Sequence, residues 1–391
     1  MKILQVCHKP PYPNIDGGTF AEQSLTRLLV QSNHQVDLLT ISTEKHPFKF
    51  EEFPDWLIKQ GEVFNVKLST FPTKSGAVKN LWSSASYITS RFKQPLFKKV
   101  LFEKATNQYD LIIFDGLVAA IYLPELKKTV NTKMVLRSHN LEFLVWENLC
   151  KKVDNLLKKG YFQLQSNRLK KEELEIFTQA DAIWHLNSEE LATFPNELRP
   201  KLAFLPVCIN VYNTHLPKQN KEFTVGFLGA MNWQPNYEAG LFIKKDLSPI
   251  LNSHQIKVLM AGRFQDDSLN ANEYFNNLGE VEKQTDFFEQ IDVFINPVFS
   301  GSGIRIKILD AIRYQRPIVS SAKGIEGWGL EEEKHFLLAS NPQEFKEQCL
   351  RLKNDENLSK KLVENCLNHF QSKFGFESTQ ALLNQNLKNL F

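Results

Sequence analysis

Three short segments hold the residue types most able to do chemistry. In Phe299-Ser300-Gly301-Ser302-Gly303-Ile304-Arg305-Ile306-Lys307, two glycines and two serines precede two cations, and Asp310 follows. A run of this kind between an apolar strand, DVFINP, and a helix offers backbone N–H groups and positive side chains together. Phosphate is the anion such a cradle suits. The G-x-x-x-x-G-K-[ST] spacing of a P-loop is absent. At about 100° per residue, a helix over 304–314 gathers Ile304, Ile308, Leu309, Ala311 and Ile312 on one broad face and aims Arg305 into its middle. A guanidinium there is costly unless paired, and a phosphate would pair it bidentately. Lys307 and Asp310, at i and i+3, also fit a plain surface ion pair. With Arg305 and the glycine loop beside them, the ligand reading is favoured.

The second segment, Asp16-Gly17-Gly18, lies ahead of a helical stretch. Paired glycines allow a ligand's phosphate to approach the backbone closely, and they also suit an ordinary turn. No G-x-G-x-x-G fingerprint is present, so hydride transfer loses support. The third, Arg137-Ser138-His139-Asn140-Leu141-Glu142, follows another strand. His139 in that position could hydrogen-bond a ligand hydroxyl or stabilise developing charge, or be a satisfied structural residue. His8, also at a strand end, is left out of the candidate set.

The elements that must position these segments alternate. Lys2–Cys7 is an apolar run, helical spacing starts at Thr19, and Val36–Ile41 is the next strand. Strand, helix and strand in so short a span form a βαβ unit and imply a parallel sheet. Further strands are expected at Leu111–Phe114, Met134–Leu136 and Ala182–Leu186, with a long helix over about 156–180. The pattern restarts with Thr224–Leu228, a helix over Tyr237–Leu251, Lys257–Met260, Asp292–Ile295, Ile318–Ser320 and Phe336–Leu338. The breaker-rich Pro206–Lys221 joins the two halves, and a helical tail over Pro342–Phe391 is interrupted near Gly375. The reading is α/β, two Rossmann-like domains, with ligands held where strand C-termini meet helix N-termini.

Composition sets the outer bounds. A chain of 391 residues suggests two or three domains, and 42% hydrophobic with 23% charged residues is ordinary for a globular protein. The formal charge of +3 does not advertise nucleic acid. Residues 1–205 hold 27 basic and 22 acidic side chains, residues 206–391 hold 20 and 22, so the excess belongs to the first half. No window reads as a membrane span and the N-terminus does not read as a signal peptide. Five scattered cysteines with no C-x-x-C pair argue against a disulfide framework and fit a reducing cytoplasm. Phe is over-used, at 30 against 9 Tyr and 6 Trp. Between Lys74 and Lys104 lie seven basic residues and one acidic, Glu103, interleaved with Leu81, Trp82, Tyr87, Phe92, Leu96, Phe97 and Phe102. This stretch fits an interfacial helix drawn to anionic lipid, with Phe92, Phe97 and Phe102 among the cations, or a solvated helix with an ordinary core face.

Taken together, the chain resembles a GT-B glycosyltransferase of the large retaining group called glycosyltransferase family 4. The resemblance is strongest over 224–330, where FLGAMNWQPN, VLMAGR and GEVEKQTDFFEQIDVFINPVFSGSGIRIKILDAIRYQRPIVSSAKGIEG follow the family's order. It implies an acceptor-side domain over 1–205, completed by a crossover helix at about 375–391, and a nucleotide-sugar-binding domain over 206–374, with the site in the cleft between. It implies that Arg305, Lys307 and the amides of Ser302 and Gly303 bind a diphosphate. Asp310 would take the ribose hydroxyls, and the segment of Glu280 and Val281 would border the base. Gly229 and Asn232 would face the pyrophosphate from one side, and Gly17 and Gly18 from the other. His139 would contact the transferred sugar.

Two departures from the family stand out. Where many relatives carry two glutamates, this chain has Ser302 and Asp310. Where many place an Arg and a Lys after the first strand of the second domain, it has Gly229-Ala230-Met231-Asn232-Trp233-Gln234-Pro235, with no cation. The resemblance implies a retaining transfer with front-face attack, the departing phosphate helping to take the acceptor's proton. It implies a nucleotide-diphosphate sugar as co-substrate, no cofactor, and a glycan or lipid-linked glycan as acceptor. No metal is called for, and the chain has no D-x-D. The expected setting is cytoplasmic, with peripheral contact at the inner membrane face. A non-catalytic nucleotide-sugar-binding scaffold of the same fold is the alternative, and an epimerase or hydrolase is disfavoured.

Overall fold

A computed structural model describes residues 1–151, 153–209, 222–301 and 304–391. The chain divides into two compact units, Met1–Cys208 with Phe376–Phe391, and Ile209–Gly375. The sequence reading put these boundaries at 205/206 and 374/375. Most of the expected linker, 210–221, lies outside the described residues.

The first unit is built on seven parallel strands: β1 (Lys2–Cys7), β2 (Gln35–Ser42), β3 (Val63–Lys67), β4 (Leu111–Asp115), β5 (Lys133–Ser138), β6 (Ala182–His185) and β7 (Leu202–Phe204). Their order is β3-β2-β1-β4-β5-β6-β7. β1, β2, β4 and β5 are buried almost end to end, as expected for parallel strands covered on both faces. The order reverses between β1 and β4, which is where a doubly wound sheet opens a crevice for ligands. Helix Gly17–Gln31 leaves β1 and buries Leu25, Leu28 and Leu29 against the sheet. Helix Phe376–Leu390 completes the same apolar cluster with Leu383, Leu387 and Leu390.

The second unit has six parallel strands, β8 (Thr224–Leu228), β9 (Lys257–Ala261), β10 (Asn276–Asn277), β11 (Val293–Asn296), β12 (Ile318–Ser320) and β13 (Leu337–Leu338), in the order β10-β9-β8-β11-β12-β13. Its reversal falls between β8 and β11. Three glycines let the ends of β8, β9 and β10 interlock. A Cβ on Gly262, whose φ is +154°, would stand 1.7 Å from the carbonyl oxygen of Gly229, and the Gly262 amide donates to the Gly279 carbonyl at 2.8 Å.

The structure departs from expectation in identifiable places. The short strands β3, β7 and β10 were not expected. The helix expected over Tyr237–Leu251 runs instead as Gln234–Phe242, a wider π turn at Ile243–Leu247, then Ser248–Asn252. Pro249 explains the break, because it has no N–H to close an ordinary helical turn. The helix expected over 304–314 spans only Lys307–Arg313.

The 74–104 stretch, open to two readings, forms three short helices with an ordinary core face. It holds helices Lys74–Asn80, Tyr87–Ser90 and Pro95–Ala105. Phe97 is fully buried in the core of the first unit, and Phe92 and Phe102 pack half-buried against it, so these three are structural. The large apolar groups left open are Val78, Leu81, Trp82 and Leu96, with Phe71 just ahead of the stretch. Among the described residues, no helix is long and apolar enough to cross a membrane.

Candidate functional site

In the first unit, the ends of β1, β4 and β5 bring together a buried polar cluster. Asp115 closes β4 with no solvent exposure, and the parallel pairing sets it directly opposite Arg137 on β5. Its carboxylate receives Gln5 Nε2 at 2.9 Å and Arg137 Nη1 at 3.3 Å. Its other oxygen lies 2.5 Å from His139 Nε2. Burial alone would raise the Asp115 pKa, but Arg137 and His139 outweigh it and hold the group at about 2. Burial pushes the His139 imidazole down to about 4 despite the attraction of Asp115. A neutral ring with Nε2–H donating to Asp115 leaves Nδ1 as an acceptor.

His8, omitted from the candidate set, belongs to this cluster. Its ring stands edge-on to His139 at 5.5 Å between centroids, and its Nδ1 lies 2.7 Å from Glu22 Oε1. Burial would lower the His8 pKa, yet the Glu22 carboxylate raises it overall. Glu142, next along the third motif, is pushed up by burial. Glu173 accepts the Glu142 and Phe143 amides, each at 3.0 Å, and so fixes the start of helix Glu142–Lys151.

Gly17 and Gly18 open helix Gly17–Gln31, whose cap is Asp16. The Asp16 side chain accepts the amides of Gly18 at 3.0 Å and Thr19 at 2.9 Å. Lys9 and His46 also hold that carboxylate, at 2.9 and 3.1 Å. A Cβ on Gly18 would fall 2.5 Å from Lys9 Nζ. The close approach that Gly18 permits is therefore to a lysine of its own unit.

In the second unit, the segments after β8 and β11 meet. Arg305 lies ahead of helix Lys307–Arg313 rather than on its apolar face, and it is only 3% exposed. Its guanidinium stacks 4.9 Å from the Trp233 ring centroid, and its carbonyl accepts the Trp328 indole N–H at 3.2 Å. Lys307 Nζ donates to Asn236 Oδ1 at 2.5 Å and sits 4.2 Å above the Phe227 ring. Burial first, then Arg305, pushes the Lys307 pKa well down. Asp310 accepts Gln284 Nε2 at 2.9 Å, so Lys307 and Asp310 have separate partners. Burial raises the Asp310 carboxyl to about 7, although part of the side chain still reaches solvent.

The remaining candidates are less concentrated. Gly229 follows β8, and a Cβ there would stand 3.0 Å from Lys307 Nζ and 2.9 Å from Asn236. Asn232 is exposed; the asparagine that reaches a cation from this turn is Asn236, which sequence reasoning missed along with Trp233, Asp115 and Glu22. Val281 is half-buried beside exposed Glu280, which pairs with Arg263 at 3.3 Å. Ser302 and Gly303 lie outside the described residues.

Comparison with known proteins places this geometry. Residues 222–355 match the family model described as Glycosyl transferases group 1. A Klebsiella pneumoniae protein, described as an uncharacterized 44.6 kDa protein in the cps region, is 21% identical over 95% of this chain and 96% of its own. Among solved structures, sucrose-phosphate synthase from Thermosynechococcus elongatus superposes with a TM-score of 0.72 at 15% identity, covering 100% of this chain and 99% of that one. Anabaena HepE in complex with UDP gives 0.66 at 12% identity, covering 99% and 100%. The two Rossmann-like parallel sheets are those of the GT-B fold.

Proposed function

We propose that the protein moves a sugar from a nucleotide-diphosphate sugar to a glycan or lipid-linked glycan acceptor, with retention of configuration, a reading supported by the match of residues 222–355 to the model described as Glycosyl transferases group 1. The setting we assign is polysaccharide or glycoconjugate synthesis in the cytoplasm. The observation that carries this reading is the pair Arg305 and Lys307, gathered beside Asp310 at the sheet's switch point.

On this reading the two cations receive the diphosphate and stabilise it as it departs, since that is where negative charge develops. Asp310 accepts the ribose hydroxyls. His139, with Nδ1 as acceptor, contacts the transferred sugar. The leaving phosphate helps take the acceptor's proton, which would free the protein from supplying a nucleophile or base of its own. The HepE complex with UDP supports a nucleotide donor.

The test is transfer and hydrolysis across a panel of nucleotide sugars with Arg305→Ala and Lys307→Ala. Each variant is expected to lose about 100- to 1,000-fold in turnover, the usual loss when one donor to developing charge is removed. A wild-type protein that binds a nucleotide sugar yet turns over none would support the non-catalytic scaffold instead.

A further inference from the structure

Two imidazoles stand side by side past the ends of β1 and β5, held by carboxylates through opposite nitrogens. His139 turns Nε2 to Asp115 and keeps Nδ1 open. His8 is turned the other way, with Nδ1 2.7 Å from Glu22 Oε1 and 3.1 Å from the Asp115 carbonyl. The carbonyl can only accept, so His8 Nδ1 carries a hydrogen and Nε2 is the nitrogen that gains or loses one. Among the described residues, neither His8 Nε2 nor His139 Nδ1 has a hydrogen-bond partner, and neither is sealed from solvent. The two side chains are 22% and 13% exposed.

The support beneath His8 is built for it. Glu22, on helix Gly17–Gln31, is fully buried, where a carboxylate is costly unless paired. Its Oε1 also accepts the His8 backbone amide at 2.9 Å, so the carboxylate serves this one residue twice. Gly116, with φ +96°, lets the ring lie against the end of β4, since a Cβ there would stand 2.8 Å from His8 Nδ1.

The charged and titratable groups facing His8 are Glu22, Asp115, the adjacent Lys9, and His139 and Glu142 after β5. Burial opposes a charge on the ring, but Glu22 outweighs it, so His8 stays protonated to a higher pH than an ordinary histidine. His139 beside it stays neutral down to about 4. At pH 6 the two rings therefore offer a donor, His8 Nε2, next to an acceptor, His139 Nδ1. A hydroxyl suits both, because it accepts one hydrogen bond and donates another.

We propose that His8 is a second contact to the transferred sugar, its Nε2 donating to a sugar hydroxyl, and that Glu22 is the positioning residue that orients it. This deepens the reading of His139 as a sugar contact and rests on it. The paired rings would favour a sugar that carries a hydroxyl at that place over its deoxy counterpart.

The experiment uses the full chain at pH 6. Calorimetry measures the affinity of UDP-glucose, UDP-galactose, UDP-N-acetylglucosamine and GDP-mannose, each against its own diphosphate. The wild type is compared with His8→Asn, His8→Gln and Glu22→Gln. His8→Asn keeps a donor where Nδ1 stands but ends short of Nε2, and is expected to bind the nucleotide sugar about tenfold more weakly, with affinity for the diphosphate unchanged. His8→Gln, whose amide reaches the place of Nε2, should recover part of the loss. Glu22→Gln keeps the shape without the charge, leaving His8 neutral with Nε2 as an acceptor, and should lose about as much as His8→Asn. Nitrogen-15 NMR of the rings should show both His8 nitrogens protonated in the wild type and one in Glu22→Gln.

Undiminished affinity for the nucleotide sugar in His8→Asn and Glu22→Gln overturns the contact and leaves the donor reading standing. Equal losses for the nucleotide sugar and its diphosphate would mark a merely structural role and overturn it too, as would a neutral His8 in the wild type. If His8→Asn does not fold, Glu22→Gln decides. A wild type that binds none of the four nucleotide sugars removes the donor reading, and the sugar contact with it.

Discussion

The Nε2 of His139 lies 2.5 Å from the Oδ1 of Asp115, and the same carboxylate is held from its other side by Arg137. A buried carboxylate between a guanidinium and a neutral imidazole fixes the ring's tautomer without charging it. Asp115→Asn would leave Arg137 buried without its counter-ion. That substitution is expected to cost about 3–5 kcal/mol, measured by urea denaturation.

The same pair gives a pH dependence with a definite sign. In the unfolded chain His139 takes a proton near its ordinary pKa of 6.5, but in the fold only near 4. Between those values the unfolded state holds more protons, so acid favours unfolding. The contribution of His139 is complete above about pH 6.5 and is lost as pH falls toward 4, by roughly 2–3 kcal/mol. Replacing His139 by Gln should remove that part of the slope, seen as converging wild-type and variant stabilities in urea titrations from pH 7 to 4.

Asp310 should make donor affinity pH-dependent near neutrality. Its carboxyl is raised to about 7, and the ionised form is the better acceptor for ribose hydroxyls. Affinity for a nucleotide sugar is expected to rise as pH passes from 6 to 8. Asp310→Asn should flatten that profile and resemble the low-pH wild type. Calorimetry with a nucleotide sugar avoids the second ionisation of a free diphosphate.

Gly262→Ala tests the interlock of the strand ends. The new methyl group would lie 1.7 Å from the Gly229 oxygen, at a φ of +154° that side chains rarely adopt. A loss of several kcal/mol is expected from clash and backbone strain together. Thermal unfolding of the variant, compared with Gly160→Ala, whose Cβ meets nothing within 4 Å, isolates the effect.

The exposed apolar groups of the first unit give a fifth test. Trp82 is 83% exposed and Phe71 72%, on either side of Lys74 and Lys79. If this surface meets anionic lipid, the wild type should sediment with phosphatidylserine vesicles at low salt and be released at high salt, and Trp82→Ala should sediment less. Absence of sedimentation at low salt removes the membrane contact expected from the sequence.

What could be read from the sequence depended on how extreme and how local each signal was. The 299–307 run was legible because glycines, serines and cations are crowded into nine positions. Trp233 and Asn236 were not, since each has many ordinary uses in a turn, and Lys307 is 71 residues from Asn236. Asp115 lies just past a strand expected to stop at Phe114 and was not singled out. Only the register of β4 on β5 reveals that Arg137 and His139 converge on it. Periodicity placed Arg305 on a helix, whereas the helix starts only at Lys307 and Arg305, ahead of it, lies over Trp233. The surplus of Phe proved chiefly structural: Phe97, Phe114, Phe177, Phe227, Phe287 and Phe294 are fully buried.

Helix Phe376–Leu390 belongs to the first unit, although the whole second unit separates it from the rest of that unit in the chain. During synthesis, the sheet made first must therefore wait with Leu25, Leu28 and Leu29 incompletely covered until residues 376–390 emerge. The second unit, continuous in sequence, can finish folding before that helix arrives. The first half of the chain to leave the ribosome is thus the last to be completed.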